Sequence, residues 1–260
     1  MIKVTIWNEF VQEQLCEETL EKFGFEGMPE DEKKRNFERT EEIRKVHPHG
    51  IHQTLKELIE EDEEFKVCHI ATLEMEECGL TEEVLDDTDV LVWWSHIAQD
   101  KVPDEIARRV QECVLRGMGI IFLHSAHMSK PMRFLLGTSG TLKWREGDFC
   151  RVWTTQPSHP IAKGIPESIE LEEEEMYGEF FDIPTPESQV FLSWYSGGEV
   201  FRSGCTWTRG YGRIFYFQPG HETNRSYFNP SIRQIIRNGV RWTAGNQIRR
   251  EKLECIHAVK

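Results

Sequence analysis

The sequence contains no CxxC pair, and its seven cysteines, at 16, 68, 78, 113, 150, 205 and 255, are odd in number and scattered. That pattern excludes a zinc knuckle and a disulfide framework, and it suits reduced thiols in a cytoplasm. Positive charge is scarce: 31 Lys and Arg stand against 45 Asp and Glu, a net charge of −14. A general phosphate-backbone binder needs clustered cations to displace counterions, so nucleic acid is not an expected partner. No stretch approaches the roughly 18 to 20 apolar residues that span a bilayer, so no membrane partner is expected either. The first apolar run, 1–7, enters Asn8-Glu9 at once without a basic segment before it, and no signal peptide is expected. Internal repeats, low-complexity segments and an HExxH motif are also missing.

What is present is an alternation of short β-rich runs with helical patterns, the mark of βαβ units and a parallel sheet. Strands are expected at 2–7, 66–72, 89–94 and 119–123, in the order 2-1-3-4 with later strands beyond. The runs at 89–94 and 119–123 are almost wholly apolar, as central strands covered on both faces should be. The charged segment 29–46 reads as a solvated helix or loop. Ile51, Leu55, Leu58 and Ile59 mark one face of a helix opening at Gly50. Pro103 suits the first turn of a helix whose apolar positions Ile106, Val110, Cys113 and Val114 end at Gly117. Beyond residue 137 the rhythm becomes β-rich, with extended runs near 151–154, 169–176, 189–196 and 199–207, before a return to the main sheet at 213–217 and a helix over about 231–243. The expectation is a three-layer α/β sandwich over 1–244 with a β-rich insertion, followed by a C-terminal tail at 245–260 that carries His257.

In a doubly wound sheet, ligands bind beyond the carboxyl ends of the strands. The first strand is followed there by Asn8 and Glu9, the third by Ser95 and His96, and the fourth by His124, Ser125 and His127. The last is followed by Gln218, Pro219, Gly220, His221 and Glu222. Several strand ends thus deliver histidine and carboxylate to one edge, which points to a shared functional site. His52, in the first turn of its helix, could face the same crevice. The acidic strip 172–175 reads either as a solvated strand edge or as part of the pocket, with Glu175 and Tyr177 the expected contributors. Trp7 and Trp94 are candidates for stacking on sugar faces, although core packing explains them equally well. His221 is expected on a surface-facing loop, and His69, inside a strand, is expected to be structural.

The strings Trp7-Asn8-Glu9, Gly50-Ile51-His52, Trp93-Trp94-Ser95-His96, Leu123-His124-Ser125-Ala126-His127, Leu136-Gly137-Thr138-Ser139, Trp144-Arg145-Glu146 and His159-Pro160-Ile161 resemble the ThuA-like (trehalose-utilisation) family. So do Gly164-Ile165-Pro166-Glu167, Glu175-Met176-Tyr177-Gly178-Glu179, the run 197–205 (GGEVFRSGC) and Phe217-Gln218-Pro219-Gly220-His221-Glu222. The resemblance covers residues 2 to about 244. It implies a flavodoxin-like, class I glutamine amidotransferase-like fold. It also implies a role in catabolism of trehalose and related disaccharides, beside oxidoreductases that make 3-keto sugars. Amidotransferases of this class place a cysteine at a strand-to-helix elbow, which here reads Leu123-His124-Ser125-Ala126-His127; the nearest cysteine, Cys113, lies on the preceding helix. Glutaminase chemistry needs a thiolate beside a base, so that activity is not expected.

Three functions remain open. The first is an enzyme moving protons on a carbonyl-bearing sugar, because histidine accepts and donates protons near neutral pH. His124, Ser125, His127, His221 and Glu222 are its candidate catalytic residues, with Trp7, Asn8, Glu9, Ser95, Glu175 and Tyr177 binding substrate. The second is a serine hydrolase with Ser125 as nucleophile, His221 as base and Glu222 as orienter, although the glycines of a G-x-S-x-G elbow are missing. The third is a carbohydrate-binding module without chemistry. A divalent metal such as Zn²⁺ would suit the imidazoles, with His52, His96 and His124 the preferred ligands; a hydrogen-bonded pocket without metal is the competing expectation. The expected partners are a small carbohydrate, a pathway oxidoreductase and further copies of the chain.

Overall fold

The computed structural model describes residues 1–245 and 249–253. Nine strands form one sheet: β1 (Ile2–Asn8), β2 (Phe65–Thr72), β3 (Val90–Trp94), β4 (Gly119–Leu123), β5 (Lys143–Thr154), β6 (Ser168–Gly178), β7 (Ser188–Tyr195), β8 (Val200–Arg209) and β9 (Gly212–Phe217). Their order is β2-β1-β3-β4-β9-β8-β7-β5-β6. The 2-1-3-4 arrangement is as expected, and the pairs among β1, β2, β3, β4 and β9 are all parallel. From β9 outward the pairing is antiparallel, so the β-rich insertion extends the same sheet and returns through β9 to lie against β4.

Among the described residues seven α-helices complete the architecture: α1 (Glu17–Phe23), α2 (Glu30–Val46), α3 (Ile51–Ile59), α4 (Glu82–Asp86), α5 (Asp104–Arg116), α6 (Lys130–Leu136) and α7 (Pro230–Thr243). Every residue of β3 and β4 is buried, because helices cover both faces of the central sheet. The chain moves one way from β1 to β2 and the other way from β3 to β4. Right-handed crossovers therefore place α3 and α5 on opposite faces. α3 packs against α7 on one side, and α5 packs against α4 and α6 on the other. The architecture is a three-layer, doubly wound α/β sandwich.

Local chemistry sets the boundaries. Pro103 stands one residue ahead of α5, as its N-cap, and Gly117 ends the helix at φ 128°. Asn229 caps α7, its side chain accepting from the Ser231 and Ile232 backbone N–H groups. The charged segment that was open to two readings is the helix α2, which fully buries only Thr40 and Ile43, packs Phe37 beside Val11 and Leu15, and turns most of its charged residues to solvent. Of the C-terminal tail, 246–248 and 254–260, including His257, lie outside the described residues. Arg249 in the described part donates to the backbone carbonyls of Leu85 and Asp86 at the end of α4. Among the described residues no helix is long and apolar enough to cross a membrane.

Candidate active site

The direction of the chain reverses between β1 and β3, and there the sheet opens a crevice beyond its carboxyl edge. From the end of β3, the His96 Nδ1 lies 3.0 Å from Glu222 Oε1, which follows β9. From the end of β4, His124 Nδ1 lies 3.0 Å from the Gln218 carbonyl. An imidazole meeting a carbonyl carries its proton on that nitrogen, so His124 turns Nε2, without a proton in the neutral form, into the crevice. That Nε2 stands 3.1 Å from Glu175 Oε2 without the alignment of a hydrogen bond. His221 Nδ1 lies 2.8 Å from Thr223 Oγ1, while its Nε2 is buried, lacks a hydrogen bond and lies 3.5 Å from Glu222 Oε1. One ligand atom each from His96, His124, His221 and Glu222 falls within 4.8 Å of the others. Three strand ends, distant in sequence, supply this group.

His124 is the elbow residue itself. Its backbone is left-handed, with φ 52°, an arrangement that costs a non-glycine side chain energy and recurs at functional sites. The sharp turn lifts the imidazole off the strand into the crevice. No cysteine stands at this elbow, and the buried Cys150 and Cys205 have thiols that desolvation pushes up to about 12. Among the described residues, therefore, no thiol stands at the elbow.

Charge in the site is unusual. Glu9, Glu174, Glu175 and Glu222 are all buried, and among the described residues no hydrogen bond or ion pair from a lysine or arginine reaches them. The histidines carry the compensation instead. Burial pushes His96 down, but the adjacent Glu222, then Glu175 and Glu9, outweigh it and raise it to about 9. Burial pushes Glu175 up, but His124, with help from His96 and His221, holds it down to about 2. Burial raises Glu9 to about 7 against the opposing hydrogen bonds from backbone N–H groups. Buried carboxylates without such compensation are costly.

Beside the cluster, Ser125 Oγ lies 2.6 Å from Tyr177 OH. Burial, then the charge of Glu175, pushes the Tyr177 phenol well above its ordinary value, so it stays protonated. His127 Nδ1 approaches the Gly140 carbonyl at 2.6 Å, and burial holds this imidazole down at about 4, neutral at physiological pH. Ser125, His127, Glu175 and Tyr177, with His96, line a cavity of about 420 Å³ whose mouth is formed by Arg39, Trp144 and Glu146. A smaller lobe of about 210 Å³ is lined by His221, Thr223 and Asn224 and shares Arg39, Glu146 and Glu175 with the first.

Not every expected residue reaches this space. His52 stands apart from the four-residue group, with its Nδ1 3.1 Å from Asn8 Nδ2 and its ring edge-on to Phe10. Asn8 is buried and donates to Glu13 Oε1 at 2.7 Å. Trp7 is fully buried, stacked on Trp93 at 3.9 Å between ring centroids, with its N–H given to the Cys78 carbonyl. It offers no face to a sugar. Trp94 is also buried, lying parallel to His124 and donating to the Gly220 carbonyl, and so walls the site from within. Glu9 accepts from the backbone N–H groups of His96 and Ile97 and fixes the turn that carries His96. Ser95 accepts from the Trp93 indole and donates to Gln99. His221 is only 4% exposed; the surface-facing loop expected for it is held inward by Glu174. A serine triad also lacks its link, since Ser125 pairs with Tyr177, and His221 pairs with Thr223 and Glu222.

Three contributors were not legible as such. Glu174 is buried in β6 and accepts from the backbone N–H groups of Gly220 and His221 and from Ser226 Oγ, at 2.9, 3.1 and 2.6 Å. It fastens the loop that carries His221 and Glu222. Gln99 ties the two neighbouring turns together by donating to the carbonyls of His96 and Ser125. Arg39, from the charged face of α2, reaches Glu146 over the crevice.

The fold and the site together define a doubly wound α/β protein with a buried histidine–carboxylate group at the carboxyl edge of its sheet. The ThuA family, described as trehalose utilisation, matches residues 31–243, and the chain belongs to that family. Among solved structures, the chain is similar to a putative ThuA-like protein from Parabacteroides merdae, with 15% identity, 96% of this chain and 92% of that chain covered, and a TM-score of 0.62. A putative ThuA-like protein from Bacteroides uniformis gives 16%, 93%, 91% and 0.55. A cytoplasmic protein from Salmonella typhimurium gives 13%, 73%, 85% and 0.54. At these identities the likeness is one of fold. Comparison with curated proteins found no match.

Proposed function

We propose that the chain is an enzyme of carbohydrate catabolism that moves protons beside the carbonyl of a keto sugar derived from trehalose or a related disaccharide, with a divalent ion in its site. The observation that carries this reading is the convergence of His96, His124, His221 and Glu222 within 4.8 Å, with the Nε2 atoms of His124 and His221 buried and without hydrogen bonds. Orphaned imidazole nitrogens beside buried carboxylates that no lysine or arginine reaches fit a borderline cation such as Zn²⁺, for which three imidazoles and a carboxylate are a natural donor set. When bound, such an ion supplies Lewis-acid polarisation of a carbonyl.

The remaining roles fall to the chain's own groups. Glu175, whose Oε2 has no aligned hydrogen bond, is the carboxylate placed to accept a proton from carbon. Tyr177, protonated and paired with Ser125, is the donor placed to return one to oxygen. His127, neutral and with Nδ1 committed to Gly140, offers Nε2 as an acceptor for a sugar hydroxyl. We take the cytoplasm as the compartment, consistent with six unpaired thiols among the described residues, and a pathway oxidoreductase as the source of the keto sugar.

The test is incubation with 3-keto-glucose or 3-keto-trehalose in D₂O, followed by NMR. Deuterium should enter at the carbons flanking the carbonyl, and Glu175→Gln should abolish its entry. Absence of both exchange and turnover with metal-supplemented protein would refute the reading.

A further inference from the structure

The larger lobe of the crevice has an outer half that the proton-transfer groups do not use, and the exposed Trp144 lines it. Trp144 stands opposite Tyr177 in the β5–β6 pairing. Directly opposed residues project from the same face of a sheet. Tyr177 therefore forms the floor of the cavity, and the indole of Trp144 rises beside it at the mouth. Arg145, the next residue, is turned instead to Glu199 and Asp148. Glu146 again lines the cavity and meets Arg39.

Trp144 is 60% exposed. Among the described residues no ring or cation stacks on it, and no acceptor takes its indole N–H. With it the apolar Leu142 and Met128 and the paired guanidinium and carboxylate of Arg39 and Glu146 line the same cavity. A pyranose ring has this same division of surface, an apolar C–H face bounded by an edge of hydroxyls. Aromatic faces take the first, and planar charged forks take the second. The cavity is continuous from Ser125 and Tyr177 to Trp144, so whatever occupies the outer half is joined to what reacts in the inner half.

We infer that Trp144, flanked by Arg39 and Glu146, forms an outer subsite for a second sugar ring, so that the enzyme selects keto-disaccharides over keto-monosaccharides. The inference rests on the sugar reading above and adds the residue that sets substrate length. Trp144 takes no part in the proton transfers; its role is binding and specificity.

Titration calorimetry with two probes, 3-keto-glucose and 3-keto-trehalose, separates the possibilities. The wild-type protein should bind the two-ring probe at least about tenfold more tightly, the factor that 1.4 kcal/mol of stacking represents. Trp144→Ala should bring that ratio close to one while leaving 3-keto-glucose affinity within about twofold, and Trp144→Phe should restore part of the preference. Because the residue is exposed, unchanged melting temperatures are expected for both variants. Binding of both probes without preference, or a preference untouched by Trp144→Ala, would overturn the subsite and leave the sugar reading standing. Failure of the wild-type protein to bind either probe would overturn both.

Discussion

Replacing Glu174 by glutamine should loosen the site without substituting any residue that lines the cavity. The carboxylate is buried, and its oxygens divide their work: Oε2 accepts from the Gly220 N–H at 2.9 Å and Ser226 Oγ at 2.6 Å, while Oε1 accepts from the Glu175 and His221 N–H groups at 3.0 and 3.1 Å. An amide has one acceptor oxygen. Placed with its nitrogen at the Oε1 position, it abandons the His221 and Glu175 N–H groups. Placed the other way it abandons the Gly220 N–H, while Ser226 can rotate to accept, so this second orientation should prevail. One buried backbone donor left unpaired costs about 1–3 kcal/mol, and the remaining bonds lose their charge assistance. A total near 3 kcal/mol is expected in urea unfolding, against less than about 0.5 kcal/mol for the exposed neighbour Glu172→Gln. Since Gly220 and His221 carry the ligand loop, zinc affinity should fall about 10- to 100-fold, as with other groups that orient metal ligands from behind. A Glu174→Gln protein with wild-type stability and wild-type zinc affinity would refute the assignment.

Other perturbations probe other parts of the structure. His47 is buried, with its Nδ1 2.9 Å from Thr54 Oγ1, and desolvation lowers it from 6.5 to about 4. The unfolded chain therefore takes up the proton first, so the contribution to stability is full above pH 6.5 and is lost as pH falls toward 4; by pH 5 the loss is about 2 kcal/mol. Urea unfolding from pH 8 to 5 should be flatter by that amount in His47→Gln, and parallel curves would contradict it. Gly220, at φ 139°, lies where an added Cβ would collide with the Tyr227 hydroxyl; Gly220→Ala should displace the loop and weaken zinc binding at least about tenfold in a metal titration, because ligand placement sets affinity.

Much of the fold was legible because its signals are local. The apolar runs that became β3 and β4, the stripe of α3 and the return strand β9 each follow from patterning that a continuous core enforces. The site was half legible for the same reason: strand ends are readable, so His96, His124, His221 and Glu222 could be assigned to one edge. Which of them face each other was not, because that depends on register and on loop anchoring. His52 lies near the edge by helix geometry yet turns to Asn8 and Phe10. Glu174 was unreadable in another way. Residues 172–175 are four identical side chains, and irregular β5–β6 pairing around Asp148 breaks the inside–outside alternation, burying Glu174 and Glu175 together while leaving Glu172 and Glu173 exposed. Trp7 and Trp144 show the converse: both are tryptophans beside polar motifs, and only each strand's place in the sheet, β1 between β2 and β3 against the start of β5 beside β6 alone, decides that one is core and the other is exposed at the cavity.

The central claim is that His96, His124, His221 and Glu222 hold a divalent ion. Elemental analysis of the purified protein, combined with zinc titration of the wild-type chain and the His124→Ala and Glu222→Gln variants, tests it most directly. The account predicts about one ion per chain for the wild type, release of a proton on binding because Glu222, with Glu175 and Glu9, raises His96 to about 9, and loss of the ion in both variants. Less than about 0.1 ion per chain after zinc supplementation, or equal binding by all three proteins, would contradict it.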